Sequence, residues 1–97
     1  MDKCKLIPLD KIFKSLGDPI RMGVIKQLIM SETGEMSCGS FDYCVNKATF
    51  SHHIKILLEA HILCERTEGV KKYLFLNPSI KKLYPGLVET IRITIPD

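Results

Sequence analysis

The stretch that decides the fold is Asn46-Lys-Ala-Thr-Phe-Ser-His-His-Ile-Lys-Ile-Leu-Leu-Glu-Ala60. It predicts one helix, with Asn46 as the N-cap because an asparagine side chain accepts a hydrogen bond from a first-turn amide. At about 100° per residue, one face is apolar: Phe50, Ile54 and Leu57. The opposite face is small, polar and basic: Ala48, Ser51, His52 and Lys55. Such a helix suits a DNA major groove, although any amphipathic surface helix also has a polar face.

Two β-prone runs follow this helix, Ile62-Leu-Cys-Glu-Arg-Thr67 and Lys72-Tyr-Leu-Phe-Leu76. The connection Glu68-Gly69-Val70-Lys71 contains a glycine, which is typical of a β-hairpin. A helix, a short link and a hairpin with basic residues at its tip form the order of a winged helix-turn-helix. The sequence therefore predicts a mainly α fold with a β-hairpin wing, in the α+β class.

The same residues resemble a known family. Thr49-Phe-Ser-His-His-Ile-Lys-Ile-Leu-Leu-Glu-Ala-His-Ile-Leu63 is similar to the recognition helix and following strand of ArsR-type transcriptional repressors, whose usual pattern is Thr-(apolar)-Ser-X-His-(apolar)-Lys-X-Leu-X-X-Ala-Gly-Leu. Leu16-Gly-Asp-Pro-Ile-Arg21 resembles the family's Leu-X-Asp-Pro-X-Arg opening of the second helix. The likeness continues through Glu68-Gly69 to the closing helix, with His61 in place of the usual glycine. It implies a repressor that binds operator DNA as a homodimer.

Length and composition set the broad class. The 97 residues make one domain, 1–97, and the net charge of +3 is compatible with nucleic acid without requiring it. No apolar run is long enough to cross a bilayer, and the first residues lack a secretory signal. We therefore expect a cytoplasmic protein with no membrane partner.

Before the deciding stretch, the sequence predicts two helices and an irregular segment. The first runs from Leu9 to Leu16 and ends at Gly17, where we expect a positive φ. Asp18 caps the second, with Pro19 at its first position. In the family, the segment 36–45 normally holds the first helix of the helix-turn-helix, but here Gly39 and the lack of periodicity predict a short, partly helical segment. We expect its aromatic side chains, Phe41 and Tyr43, to plug the core.

Terminal helices at about 8–17 and 78–95 carry apolar side chains that so small a domain can hardly cover from within. Packing on the chain's own core is one explanation. The resemblance implies instead a two-fold dimer, which would present two recognition helices to DNA about one helical turn apart. The residues predicted to form this interface are Ile12, Phe13, Leu83, Leu87, Val88 and Ile91.

The predicted DNA contacts fall into two groups. On the recognition helix they are Lys47, Ala48, Thr49, Ser51, His52 and Lys55, and on the wing they are Arg66, Lys71 and Lys72. His53 lies at the edge of the apolar face, so we expect it to be structural and hydrogen-bonded to nearby backbone. For Arg21 we favour an ion pair with Asp18 or a neighbouring acid over a contact to DNA phosphate.

The four cysteines are Cys4, Cys38, Cys44 and Cys64. A reducing cytoplasm disfavours a disulfide framework, and the lack of a CxxC pair disfavours a structural zinc site. Metal-sensing members of the family use a Cys-X-Cys pair leading to the recognition helix. Cys38 and Cys44 lie in that region at a different spacing. We favour structural thiols and no cofactor, with a thiol-based metal or redox sensor as the alternative.

An enzyme is not expected, because the sequence has no nucleophile–base pattern, phosphate loop or paired acids. The competing hypothesis from another class is a winged helix used as a protein-interaction module that does not bind DNA. Such modules often lose basic residues from the recognition face and the wing, whereas this chain keeps a modest excess of them there.

Overall fold

The computed structural model describes residues 8–95. In this range the chain forms helices and three short strands. The elements are α1 (Leu9–Leu16), α2 (Pro19–Met30), β1 (Glu35–Ser37), a 3₁₀ turn (Cys38–Ser40), α3 (Lys47–Glu59), β2 (Leu63–Glu68), β3 (Lys71–Leu76), α4 (Pro78–Leu83) and α5 (Pro85–Ile93). This order confirms the predicted mainly α fold with a hairpin wing. Cys4 lies outside the described residues.

The three strands form one antiparallel sheet in the order β1-β3-β2. Pairing of Glu68 with Lys71 leaves a two-residue turn, Gly69-Val70, in which Gly69 has a φ of 65°. A positive φ at the first turn residue alone is the type II′ geometry, which matches the twist of the flanking strands and favours glycine there. The predicted hairpin is therefore confirmed. Strand β1, in contrast, was not predicted, and it adds a third strand to the sheet beside β3.

The helices and the sheet enclose one apolar core. Its fully buried side chains come from α1, α2, α3, the link after α3 and β3, and the largest are Ile12, Ile25, Leu28, Leu57, Ile62 and Leu74. Phe50, Ile54 and Leu57 are buried as the spacing on α3 predicts. Burial of each such side chain is worth about 1.5–3 kcal/mol, so this face fixes which side of α3 remains exposed.

The predicted interface residues of the terminal helices separate into three pairs that differ in exposure. Ile12 is 0% exposed and Ile91 is 7% exposed, so both pack in the core of their own chain instead of offering surface to a partner. Phe13 and Leu83 are 56% and 47% exposed. The remaining two, Leu87 and Val88, are half-buried against the core.

The links at Gly17 and His61 differ from each other in backbone geometry. Gly17 has a φ of −77° and donates its N–H to the Lys14 carbonyl, so the predicted positive φ is wrong. Because Asp18 starts the next helix at once, the chain has no need for a left-handed residue there. His61 does adopt a φ of 60°, so the left-handed conformation available to the family's glycine is kept by a histidine at this point.

Of the segment 36–45 that the sequence predicts to be irregular, Met36 and Ser37 belong to β1, whereas residues 38–45 are irregular with the 3₁₀ turn as their only helical part. Phe41 is 5% exposed and fills the core as expected. Tyr43 is 40% exposed, so its predicted place in the core is wrong. Its ring lies on the outside of Phe50 instead.

Asn77 is a buried polar residue that holds the end of the recognition-helix link to the start of α4. It is 0% exposed. Its Nδ2 donates to the His61 carbonyl at 2.7 Å, and its Oδ1 accepts from the Ser79 amide at 2.9 Å. Its own amide donates to the Ile62 carbonyl. These bonds stabilise the left-handed turn at His61 and cap α4 at the same time.

Replacing Asn77 with Ala should therefore lower the free energy of unfolding by about 2–3 kcal/mol, because the two side-chain hydrogen bonds of this buried residue, to the His61 carbonyl and from the Ser79 amide, are both lost. The matched control is Asn46→Ala, which removes one exposed capping bond and should cost about 1 kcal/mol. Urea unfolding followed by circular dichroism at one fixed protein concentration measures both. Equal losses in the two variants would show that Asn77 acts only as an ordinary cap.

Candidate nucleic-acid interface

The outward face of α3 is open to solvent over its whole first half. Asn46 caps the helix, its Oδ1 accepting from the Thr49 amide at 2.8 Å, as predicted. The six predicted recognition residues are all exposed: Lys47, Ala48, Thr49, Ser51, His52 and Lys55. No acidic side chain occurs on α3 before Glu59. The face is therefore free to meet a ligand surface, and it carries two lysines, short hydroxyl side chains and a histidine.

The segment directly before α3 is held by side-chain contacts and not by a packed helix of its own. The Gln27 side chain of α2 holds the backbone of Asp42 at two points: its Nε2 donates to the Asp42 carbonyl at 2.8 Å, and its Oε1 accepts from the Asp42 amide at 2.9 Å. The ring of Phe50 stacks on Tyr43 at 3.8 Å between centroids and meets Phe41 at 5.9 Å. This amide clasp and the aromatic contacts stand where the family pattern normally has the first helix of the helix-turn-helix, in the segment that the sequence predicts to be only partly helical.

A polar cluster joins α1, α2 and α3. The Asp18 carboxylate caps α2, accepting from the Ile20 and Arg21 amides at 3.1 and 3.4 Å, as predicted. The Arg21 side chain donates through Nε to the Ser15 carbonyl at 2.6 Å, and its Nη1 lies 3.1 Å from His53 Nδ1. Two expectations are therefore corrected: Arg21 is held by a carbonyl and a histidine instead of an acid, and His53 bonds to a side chain instead of backbone. Both contacts depend on how α1, α2 and α3 pack against one another.

On the wing, Lys71 and Lys72 are exposed as predicted, but Arg66 is committed elsewhere. Its Nε donates to Glu35 at 3.1 Å, its Nη1 donates to Glu68 at 3.0 Å, and its guanidinium lies 4.5 Å from the centre of the Tyr73 ring. Two carboxylates thus neutralise this cation. Arg66 ties β2 across β3 to β1 and is a poor candidate for a phosphate contact.

Arg66, Glu35 and Glu68 form a wing brace in which the opposite charges stabilise each other's ionised forms. The hydrogen bond from Arg66 holds the pKa of Glu35 below its usual value, and the same carboxylate, with Glu68, raises the pKa of Arg66. A carboxylate with a lowered pKa stabilises the fold above its unfolded pKa and loses that contribution only as the pH falls through the folded value. The brace therefore remains ionised at neutral and mildly acidic pH.

The two candidate sensor thiols are both exposed. Partial burial raises the pKa of Cys38, and nearby Glu65 adds to the rise while Lys72 opposes it. A reactive or metal-binding cysteine needs its thiolate form, which a raised pKa disfavours. Within residues 8–95 there is also no group of three or more His, Cys, Asp and Glu side chains placed to hold a metal ion. In the same residues, no helix is long and apolar enough to cross a membrane.

Comparisons with known proteins agree with this geometry. A family model described as a helix-turn-helix domain matches residues 16–65. An uncharacterized HTH-type transcriptional regulator, YceK of Bacillus subtilis (strain 168), is 37% identical over 84 residues, which cover 84% of this chain and 83% of that protein. The transcriptional repressor SdpR of the same organism is 27% identical over 74% of this chain and 79% of its own length. The crystal structure of an ArsR family transcriptional regulator has the same fold, with a TM-score of 0.63 at 19% identity and 88% of each chain covered.

The clasp leads to a prediction about the segment before α3. Gln27→Met keeps the side-chain length but removes both hydrogen bonds, so the Asp42 amide should exchange its hydrogen faster and the free energy of unfolding should fall by about 1 kcal/mol. NMR hydrogen exchange and urea unfolding measure the two effects. Asp42→Ala is the matched control, because the clasp uses only the backbone of that residue. If both variants exchange this amide at the parent rate, Gln27 does not hold the segment.

Proposed function

Because the chain belongs to the family of helix-turn-helix transcriptional regulators, which bind DNA, we propose that it is an ArsR-type repressor that binds a specific operator in the cytoplasm as a homodimer. The observation that carries this proposal is the outward face of α3, which the buried apolar face fixes in position and which is exposed over its whole first half. A helix presented in this way is the element with which helix-turn-helix proteins read base edges in the major groove.

Sequence reading is assigned to α3. Ser51, His52 and Lys55 extend from the face opposite the core, and they would reach base edges together with Lys47, Ala48 or Thr49 near the helix start. Hydroxyl, imidazole and ammonium groups are all able to bond base edges, and a small alanine or a threonine methyl is able to contact a thymine methyl. These contacts would determine the preferred operator.

Affinity that does not depend on sequence is assigned to the wing. Lys71 and Lys72 follow the turn at the exposed end of the hairpin. Glu68 lies opposite Lys71 on β2, but within residues 8–95 neither lysine forms a salt bridge with an acidic side chain. Lysines so placed would neutralise phosphates beside the groove and set the orientation of the protein on the duplex. Arg66 is omitted from this set because of its two carboxylate partners.

The homodimer is supported by apolar surface on the terminal helices. Leu9 and Phe13, one turn apart on α1, are 41% and 56% exposed. Leu83 at the end of α4 and Ile93 at the end of α5 are 47% and 69% exposed. Surface of this kind on the two terminal helices is suited to pairing with a second copy. Phe13 and Leu83 therefore remain in the proposed interface with the half-buried Leu87 and Val88.

Repression is proposed because one relative is named a transcriptional repressor. Occupying a promoter would suffice for this outcome, so neither a catalytic residue nor a cofactor is needed. A thiol-based sensor is the less favoured version, since the pKa of Cys38 is raised. The interaction module is less favoured because the exposed first half of α3 keeps its basic residues.

The division of contacts is testable once an operator has been selected from random DNA. His52→Ala should change the preferred base at one position in each half-site, at a cost of about 1–3 kcal/mol. Lys71→Ala should weaken all sequences alike and reduce the slope of log affinity against log salt by about one per subunit. Filter binding across salt concentrations and a repeated selection measure these effects.

Lys14→Ala is the control for charge, because it removes one exposed lysine from α1 and should leave both preference and slope unchanged. A parent protein that binds no duplex even at low salt would instead support the interaction module.

The dimer is testable on Phe13. Phe13→Asp places a charge on the exposed face of α1, so light scattering should report the 11.0 kDa chain mass for this variant and twice that mass for the parent. Val70→Asp is the matched control, because Val70 is fully exposed at the wing tip, and this variant should remain dimeric. Circular dichroism checks that both variants are folded. A parent of single-chain mass at micromolar concentration would refute the dimer.

A further inference from the structure

We propose that Arg21 and His53 are positioning residues that hold the recognition helix in its reading orientation through a hydrogen bond that only neutral His53 accepts, so that acid weakens operator binding. The inference rests on the proposed function, since it concerns the orientation of α3 on DNA. Neither residue belongs to the exposed face of α3, so neither is assigned a contact to DNA.

The Arg21 side chain belongs to α2 and connects α1 to α3. It starts on α2, donates through Nε to the Ser15 carbonyl in the last turn of α1 at 2.6 Å, and reaches His53 on α3 through Nη1 at 3.1 Å. The His53 side chain is 15% exposed. Because a guanidinium is planar, fixing one of its nitrogens on α1 fixes where the others can meet α3.

The chemistry of this contact fixes the proton on the imidazole. Arginine has only donors, so His53 Nδ1 must accept, and the neutral ring carries its hydrogen on Nε2. Adding a proton at Nδ1 removes the acceptor and places two positive groups 3.1 Å apart. The Asp18 carboxylate lies 3.7 Å from the same nitrogen and would accept from the protonated ring. One nitrogen therefore has two partners that require opposite protonation states.

Protonation would thus transfer His53 from Arg21 to Asp18. The next two residues back along α3 are His52 and Ser51, which point outward as proposed base contacts. Hydrogen bonds to bases keep their strength only within a few tenths of an ångström of their usual length. A small rotation of α3 towards Asp18 would therefore weaken reading of the operator without unfolding the domain.

The neighbours of His53 would not themselves produce a loss of affinity in acid. The charged groups that face the His53 ring in the described residues are Asp18 and Arg21 near the start of α2. On α3 itself, the centroid of the His52 ring lies 6.2 Å from that of His53. Protonated His52 would strengthen contact with DNA, which is the opposite sign. The Glu35–Arg66 brace does not contribute, because the pKa of Glu35 lies below its usual value. Histidine is the residue type that ordinarily changes charge between about pH 5 and 8.

The experiment measures operator affinity of the full chain by fluorescence anisotropy between pH 8 and pH 5.5 at constant ionic strength. To remove the opposing contribution, it is done in the His52→Gln background, on an operator selected from random DNA with this variant. If this variant binds no DNA, the same measurements are made in the parent background. Affinity should fall towards acid by about fivefold for each DNA-bound subunit, the factor that corresponds to one ordinary hydrogen bond. Circular dichroism at both pH values confirms that the fold is retained.

Two variants of His53 in that background separate positioning from general packing. His53→Asn keeps an acceptor near Nδ1 but does not titrate, so it should bind well at pH 8 and lose the pH dependence. His53→Leu has no acceptor, so its affinity for the operator should be about fivefold lower for each DNA-bound subunit at every pH. In the parent, long-range ¹⁵N–¹H NMR of the imidazole should show the hydrogen of His53 on Nε2 at pH 8.

The outcomes separate this inference from the proposed function. If the His52→Gln protein binds no operator at pH 8 and the parent binds none either, the proposed function fails. If both bind, the inference is overturned by any of three results: affinity that does not fall in acid, a pH dependence that persists in His53→Asn, or a His53 hydrogen on Nδ1 at pH 8.

Discussion

The structure depends on the burial of one face of α3. Phe50, Ile54 and Leu57 enter the core beside α2 and the sheet, and their burial leaves the helix a single orientation about its axis. Since the three side chains together contribute several kcal/mol, no weaker polar contact is able to rotate the helix far. The exposure of the opposite face, and hence its use as a reading surface, is a direct consequence. The wing is placed by the same constraint, because β2 begins four residues after α3 ends.

Although α3 packs on α2, the segment directly before α3 supports it without a helix of its own. The element just before α3 is a 3₁₀ turn, and the chain between that turn and Asn46 buries little besides Phe41. Two hydrogen bonds from Gln27 and the stacked ring of Tyr43 hold this stretch in place. Hydrogen bonds of this kind contribute less net free energy than a buried apolar face, but they fix direction more strictly. The support is therefore small in energy and defined in geometry, which suits an element that must present its side chains in one arrangement.

The sequence was sufficient for features whose causes are local. Helix periodicity, the caps at Asp18 and Asn46 and the glycine turn of the wing depend on neighbours within a few residues, and all are found where they were predicted. The pairings that brace the site are long-range. Gln27 meets Asp42, Arg66 meets Glu35, and Asn77 meets His61, and no spacing rule links such partners. Buried Asn77 had one local signal, since Asn-Pro is a common helix start, but its second bond to the His61 carbonyl required the fold. Tyr43 was assigned to the core because aromatic residues usually are, yet Phe41 already occupies that place.

Arg21 is the point at which the two proposed tasks of the domain meet. A dimeric reader must hold its two recognition helices at a fixed separation, because the half-sites on DNA are fixed by the helical repeat. In the proposed dimer, each subunit would transmit that separation from α1, the proposed pairing helix, to α3. Apolar packing resists large movements along this path, but it allows small sliding because apolar contacts have no direction. The bonds from one guanidinium to the Ser15 carbonyl and to His53 supply the missing direction. Under the proposed mechanism this direction exists only while His53 Nδ1 accepts from Arg21, so a proton on that nitrogen would remove it and favour the Asp18 carboxylate instead.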